Sequence, residues 1–190
     1  MKFNGAKRLA LVAAALATTA GAFANAPAAQ AATPYYHLKV QHSGKVISAT
    51  PTFGGSVREG NPIVQVTENS LDHRQQWEIM SSNPTNVNQV EFVWALRDKG
   101  VAKNGTLVKL CIDSPTDDFN QANNSSVVIR PCDGTASQKW VRDFGTFVSN
   151  KNKFNLKQWA VLNASQQEGA PIIHFNQDGG PNHKFAFTLQ

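Results

Sequence analysis

The sequence has few of the residues that enzyme and metal sites require. Its 190 residues include only two cysteines, two methionines and 13 acidic side chains. The five histidines share no metal-ligand spacing. There is also no His-Glu-x-x-His zinc motif, no Gly-x-Ser-x-Gly nucleophile turn and no glycine-rich phosphate loop. We therefore expect a protein that is not an enzyme, with no catalytic residue, no bound metal and no cofactor.

Long hydrophobic runs are absent apart from one alanine-rich run at 9–24. This run follows three basic residues, is too short to span a bilayer, and precedes a small-x-small pattern that ends at Ala31. These features predict a secretory signal peptide at residues 1–31. They also predict a secreted, extracellular protein with no membrane span in its mature chain.

The chain has little net charge once this leader is set aside. The leader holds three of the 18 basic residues and none of the 13 acidic ones, so the net charge falls from +5 to +2. No later segment is a basic run interleaved with aromatic residues, which is the pattern that follows a phosphate backbone. Nucleic acid is therefore not an expected partner.

The remaining sequence consists of short apolar runs separated by clusters of Gly, Pro, Asn and Asp, which predicts an all-β domain. One order of parts recurs three times, near residues 35–80, 85–142 and 143–190: an apolar strand, a polar turn, a second apolar strand and a closing aromatic. Such a unit cannot bury its own apolar face, so the three must share one core. We expect the closing aromatics Trp77, Trp140 and Phe185 to meet in that core.

The two cysteines, Cys111 and Cys132, both lie in the middle unit. In an exported chain an even pair is most simply a disulfide, which would stabilise the fold by about 3 kcal/mol. The alternatives are a metal site, which would need further ligands at suitable spacing, and an unpaired reactive thiol. The middle unit also carries extra turn-rich sequence at 83–106, which we expect to be loop or strand extension.

The closing motifs resemble those of the ricin-type β-trefoil lectins. Gln75-Gln76-Trp77 and Gln138-Lys139-Trp140 match the Gln-x-Trp closure of that family, and His183-Lys184-Phe185 is a variant of it. The middle unit adds Leu110-Cys111-Ile112-Asp113 and Pro131-Cys132 in the family order. The resemblance implies a single ricin-type β-trefoil domain at 35–190. It further implies a non-enzymatic lectin whose partners are glycans or glycoproteins, with galactose-type sugars as the expected ligands.

In that family each unit can hold a shallow sugar site, built from an acid after the first strand, an aromatic ring and an amide before the closing Trp. Carried over by position, the resemblance implies Asp113, Gln138 and the loop residue Phe119 in the middle unit, where Arg130 occupies the aromatic position. In the third unit it implies Asn163 at the acid position, with Phe175, Asn182 and His183. The first unit has Ser48 in place of the acid and is predicted not to bind sugar.

Four of these assignments have structural alternatives, and for Asn163 and His183 the alternative is a solvated loop residue. Asp113 either faces solvent and accepts from sugar hydroxyls, or caps a turn through its own side chain. Gln138 either contacts the sugar or only hydrogen-bonds backbone within its unit. An alternative function for the whole protein is a secreted protein-binding trefoil such as a protease inhibitor. In that case a loop at 50–61 or 83–89 would enter the cleft of a secreted protease.

Overall fold

Antiparallel strands account for most of the chain that the computed structural model describes, which is residues 33–49, 56–86, 88–114, 124–143, 147–150 and 157–190. The strands are β1 Tyr36–Val40, β2 Val46–Ser48, β3 Val64–Val66, β4 Trp77–Asn86, β5 Gln89–Val101, β6 Leu107–Asp113, β7 Val128–Pro131, β8 Trp140–Asp143, β9 Phe147–Asn150, β10 Lys157–Val161, β11 Ile172–Asn176 and β12 Phe185–Leu189. The helical segments among these residues are four single 3-10 turns, at His73–Gln75, Ala136–Gln138, Leu162–Ala164 and Pro181–His183. The all-β prediction is confirmed, while the predicted leader at 1–31 lies outside the described residues.

The strands form three units of four: β1 to β4 (unit 1), β5 to β8 (unit 2) and β9 to β12 (unit 3). The first and fourth strands of the units are antiparallel neighbours in the order β12, β1, β4, β5, β8 and β9. The second and third strands of each unit form a hairpin, β2 with β3, β6 with β7 and β10 with β11. This is the arrangement of a β-trefoil, with one hairpin supplied by each repeat.

The three hairpins meet through a closed set of backbone hydrogen bonds, which we call the cap ring. Ile63 N–H donates to Val127, Val127 N–H donates to Ile172, and Ile172 N–H donates to Ile63, each at 2.8 Å. All three side chains are fully buried. Because each residue donates once and accepts once around the ring, the three occupy equivalent positions in their units. The cap ring therefore fixes the alignment of the repeats residue by residue.

The turn before each hairpin's second strand supports this alignment. Three residues before the cap ring, Gly60, Asn124 and Gly169 have φ angles of 87°, 71° and 76°. A left-handed backbone favours glycine because it has no Cβ, and asparagine is among the residues that best tolerate it. The same backbone turn is thus built with different residues in the three units, which the sequence alone does not reveal.

The closing aromatics pack in one core, as predicted. Trp77, Trp140 and Phe185 are all fully buried there. The Trp77 Nε1–H donates to the Ile47 carbonyl at 3.3 Å, and the Trp140 Nε1–H donates to the Ile112 carbonyl at 3.0 Å. The two indoles therefore make equivalent bonds across their units, whereas a phenylalanine in unit 3 has no such donor.

The excess residues of the middle of the chain extend the strands β4 and β5. These strands pair from Trp77 opposite Leu96 to Asn86 opposite Gln89. Of residues 83–89, considered above as an inhibitory loop, 83–86 and 89 thus belong to paired strands, with a register shift between Pro84 and Asn86. Of the other candidate loop, 50–61, residues 50–55 lie outside the described residues. In the described ranges no helix has the length and apolar character needed to cross a membrane.

Candidate functional site

The strand register identifies which residues occupy the acid position of each unit. Asp113 pairs with Val128 in unit 2. Val128 directly follows the cap-ring residue Val127. The residues that pair with the corresponding positions are Ser48 in unit 1, opposite Val64, and Ala160 in unit 3, opposite Ile173. The prediction that Asn163 occupies the acid position is therefore wrong by three residues. Asn163 lies beyond the strand, exposed and with a left-handed φ of 53°.

In unit 2 the acid faces the closing motif instead of solvent. Asp113 is 2% exposed, and its Oδ2 accepts a hydrogen bond from Gln138 Nε2 at 2.9 Å. Burial raises the pKa of Asp113, against the hydrogen bonds from Gln138 and Ser137 that act to lower it. The expectation of a solvent-facing carboxylate is thus not met, because the strand turns this side chain inward onto Gln138.

The amide of Gln138 is fully used within the chain. Its Nε2 donates to Asp113 and to the Pro131 carbonyl, while its Oε1 accepts from the backbone N–H groups of Asp133 and Gly134. An amide has two donor hydrogens and two acceptor lone pairs, so no hydrogen-bonding capacity is left. In this structure Gln138 positions the acid and closes a turn, and it presents no open group to a sugar.

The rest of unit 2 offers little that could complete a sugar site. Arg130 stands at the aromatic position, paired with Cys111. The Cys111–Cys132 disulfide is present, with Cα atoms 5.0 Å apart, as expected for an even cysteine pair. Phe119, the predicted replacement ring, lies outside the described residues.

Unit 3 holds a small open pocket of about 200 Å³ in which three of the predicted site residues meet. Asn163, Phe175 and Asn182 all contribute to its wall, together with Asp178 and the methyl group of Ala160. Phe175 pairs with Gln158 as Arg130 pairs with Cys111 in unit 2, so Phe175 occupies the aromatic position of unit 3. The Asn182 amide Nδ2 reaches the Val161 carbonyl at 3.5 Å, a long contact that fixes it weakly.

His183 is not part of this pocket wall. It replaces the glutamine of the closing motif and is fully buried, with Nε2 3.0 Å from Asp178 Oδ1 and its ring centroid 6.0 Å from that of Phe175. Burial lowers the pKa of His183, although the Asp178 carboxylate acts to raise it. The prediction that His183 contacts sugar directly is not supported by this position, which places the imidazole behind the pocket.

Unit 1 has a larger cleft, of about 770 Å³, next to a segment of unit 3. Its lining includes Glu68, Asp72, Arg74 and Glu168. Size alone would favour this cleft, but its charged groups are paired within the chain. Arg74 holds Asp72 at 2.7 Å, Glu68 contacts two basic side chains, and Glu168 accepts from Thr67 N–H at 2.6 Å. The predicted lack of sugar binding in unit 1 stays a prediction.

The residue that the sequence analysis missed is Asp178. Its turn, Asp178-Gly179-Gly180, has the composition of an ordinary loop. Only the structure shows that the carboxylate lies beside His183 and lines the pocket. No group of three or more His, Cys, Asp or Glu side chains converges in a way that would hold a metal, as far as the described ranges extend.

No family model matches this chain. The ribosome-inactivating protein SNAIf of Sambucus nigra is 29% identical over 104 residues, which are 55% of this chain and 17% of that protein. The chain thus spans less than a fifth of the length of this relative.

Solved structures share the fold over most of the chain. The designed threefold-symmetric protein ThreeFoil is 22% identical, with a TM-score of 0.56 over 81% of this chain and 97% of its own. The C-half of the earthworm R-type lectin, solved with GalNAc, is 16% identical, with a TM-score of 0.52 over 83% and 99%. The resemblance drawn from the closing motifs is confirmed for the fold: the domain described here is a β-trefoil with the architecture of the R-type lectin domains.

Proposed function

We propose that the protein is a secreted, non-enzymatic lectin that binds sugar through the pocket of unit 3. The observation that carries this proposal is the convergence of Phe175, Asn163 and Asn182 on one open cavity of about 200 Å³. These residues come from three separate segments of the unit. Their convergence therefore depends on the fold, and no local sequence signal would produce it.

The chemistry of this pocket suits one sugar ring. The half-buried Phe175 presents an aromatic surface for the apolar C–H face of a pyranose. The two asparagines each supply an amide, with donor and acceptor atoms for hydroxyl groups. A pocket this small and open fits the terminal unit of a glycan, and weak binding at one such site gains strength only when several sites act together.

Among the fold relatives, the earthworm lectin was solved with GalNAc, which supports galactose-type sugars as the first ligands to test. SNAIf is a ribosome-inactivating protein, but this chain spans only 17% of it. A lectin function without catalysis is the simpler proposal, because the fold relatives include an R-type lectin domain and the imidazole beside Asp178, that of His183, is fully buried behind the pocket.

The proposal is tested by a glycan array, followed by NMR titration with methyl galactoside and N-acetylgalactosamine. We expect Phe175→Ala to lower the affinity for the bound sugar at least about tenfold, since stacking and apolar contact are lost. The matched control is Arg130→Ala, which changes the equivalent position in unit 2 and should leave binding unchanged.

The opposite pattern, with Arg130→Ala harmful and Phe175→Ala harmless, would move the site to unit 2. Absence of any bound glycan, together with inhibition of a secreted protease in a parallel panel, would favour the alternative function of a protease inhibitor.

A further inference from the structure

In each unit a carboxylate lies beside the closing glutamine or histidine, but the carboxylate comes from different segments. In unit 2 it belongs to Asp113, at the end of the first hairpin strand, 2.9 Å from Gln138 Nε2. In unit 1 that strand position is Ser48, and the carboxylate beside Gln75 Nε2 is Asp72, at 3.4 Å. Asp72 comes from the turn that precedes the closing motif.

Unit 3 shows the same change. The strand position is Ala160, and the carboxylate beside His183 is Asp178, 3.0 Å from Nε2 and again from the turn before the closing motif. In the two units without a strand acid, the carboxylate beside the closing residue thus comes from the turn, whereas the turn carboxylate of unit 2, Asp133, bonds Thr135. In unit 3 the small side chain of Ala160 also leaves the volume that an acid would fill open as pocket.

The three carboxylates differ in what they can offer a ligand. Asp113 is buried behind Gln138. Asp72 is held by both Nε and Nη2 of Arg74, each at 2.7 Å, and its side chain is only 12% exposed. Asp178 is 54% exposed, and its Oδ2 makes no hydrogen bond or ion pair within the described residues. Asp178 alone combines a fixed position with an open oxygen.

The turn holds this carboxylate in place. Asp178 Oδ1 accepts from the Gly180 N–H at 2.8 Å and lies against His183. Because both oxygens belong to one planar carboxylate, the bond that holds Oδ1 also restricts the position of Oδ2. A carboxylate oxygen that is fixed without being neutralised is a strong acceptor for sugar hydroxyls.

We propose that Asp178 is the residue that determines specificity in the unit 3 pocket, and that it accepts hydrogen bonds from the hydroxyls of an uncharged sugar stacked on Phe175. This inference rests on the proposed function and adds the group that selects the ligand. It assigns to a carboxylate from the turn before the closing motif of unit 3 the role that the family resemblance had implied for Asp113 in unit 2.

The charge of the pocket defines the class of sugar. The described lining residues include no Lys or Arg, so nothing there offsets the charge of Asp178. Burial lowers the pKa of the neighbouring His183 and thereby favours its neutral imidazole at neutral pH. A uronic or sialic acid would bring a second negative charge into this space, and the site should discriminate against it.

The test compares the full protein with Asp178→Asn by NMR titration, using methyl galactoside and galacturonic acid as probes. Asparagine keeps an oxygen for the Gly180 N–H, so the turn should persist. We expect at least about a tenfold loss of affinity for methyl galactoside and a smaller preference for the neutral sugar over the acid. The matched control is Asp133→Asn, which alters the exposed equivalent of Asp178 in unit 2 and should change neither value.

Each outcome bears on one of the two proposals or on both. If Phe175→Ala abolishes binding but Asp178→Asn leaves affinity and the preference for neutral sugar intact, the role of Asp178 is refuted while the lectin function stands. If the unmodified protein binds neither these probes nor any glycan of the array, both proposals are overturned.

Discussion

Units 2 and 3 differ in the relation between motif and open site. Unit 2 keeps the acid, the glutamine and the cysteines of the family pattern, yet Asp113 and Gln138 are buried and bonded to each other. Unit 3 has lost the acid and the glutamine, and it holds an open pocket. The comparison teaches that the residues of the family pattern can serve the structure of their own unit, as Asp113 and Gln138 do, without forming an open site. Whether a ligand can bind depends on which polar atoms are accessible: Asp113 Oδ1 has no hydrogen-bond partner among the described residues but is buried, whereas Asp178 is 54% exposed.

The largest effect that would sharpen this comparison comes from the disulfide, which braces unit 2 only. We expect loss of the Cys111–Cys132 bond, by the paired change to alanine, to lower the free energy of unfolding by about 3 kcal/mol, because it closes a segment with a sequence separation of 21. Denaturant unfolding measures this change. Sugar binding in unit 3 should survive under conditions where the protein stays folded. Loss of binding in the folded variant would show that unit 3 depends on the brace in unit 2.

A smaller effect is expected at Asp113. The change Asp113→Ala leaves one of the two N–H bonds of the buried Gln138 Nε2 without an acceptor, while the bond to the Pro131 carbonyl remains, and should cost about 2 kcal/mol of stability. Asp113→Asn keeps an acceptor and removes a buried charge, so its thermal midpoint at pH 7 should equal or exceed that of the unmodified protein.

The pH dependence at Asp113 has a definite sign. Its raised pKa means that the folded chain binds a proton more readily than the unfolded chain, so this group's contribution to stability falls as pH rises above about 4 and through the folded pKa. The difference between the unmodified protein and Asp113→Asn should show this slope in thermal melts across that range. An Asp113→Ala variant as stable as the unmodified protein would indicate a carboxylate in solvent.

The smallest effect is expected at His183, the counterpart of Gln138. Because burial lowers its pKa, the unfolded chain binds a proton first as pH falls below about 6.5. Stability should therefore decline from that pH downward until the folded pKa is reached. His183→Gln, which restores the residue found in units 1 and 2, should remove this decline. An unchanged pH profile in thermal melts would mean that His183 reaches solvent.

The fold was predictable from sequence because its signals repeat. The aromatics Trp77, Trp140 and Phe185 recur at the end of each unit, and burial of three such rings leaves few alternatives to a shared core. The bounds of the units were less predictable. Strand β4 continues to Asn86 because it pairs with β5 in one hairpin, although Asn83, Pro84 and Asn86 are residue types that favour turns.

The site was only partly predictable. Phe175 and Asn182 were identified because they sit at fixed offsets from the closing motif. Asn163 was misplaced because an Asn after an apolar strand resembles the expected acid position, and only the pairing of Ala160 with Ile173 shows the shift. Asp178 was not identified, because its approach to His183 depends on the backbone conformation of the turn between them, which its loop-forming residues do not specify.

The cap ring has a consequence for how such a chain can change. Ile63, Val127 and Ile172 each bond with the other two units, so a single repeat on its own would leave one donor and one acceptor open. Three copies are thus required at the axis. The acid positions of the three units do not bond with one another, so Ser48, Asp113 and Ala160 can differ without disturbing the cap ring. The backbone at the axis therefore has to stay the same in all three units, whereas the acid positions can change independently and give the units different specificities.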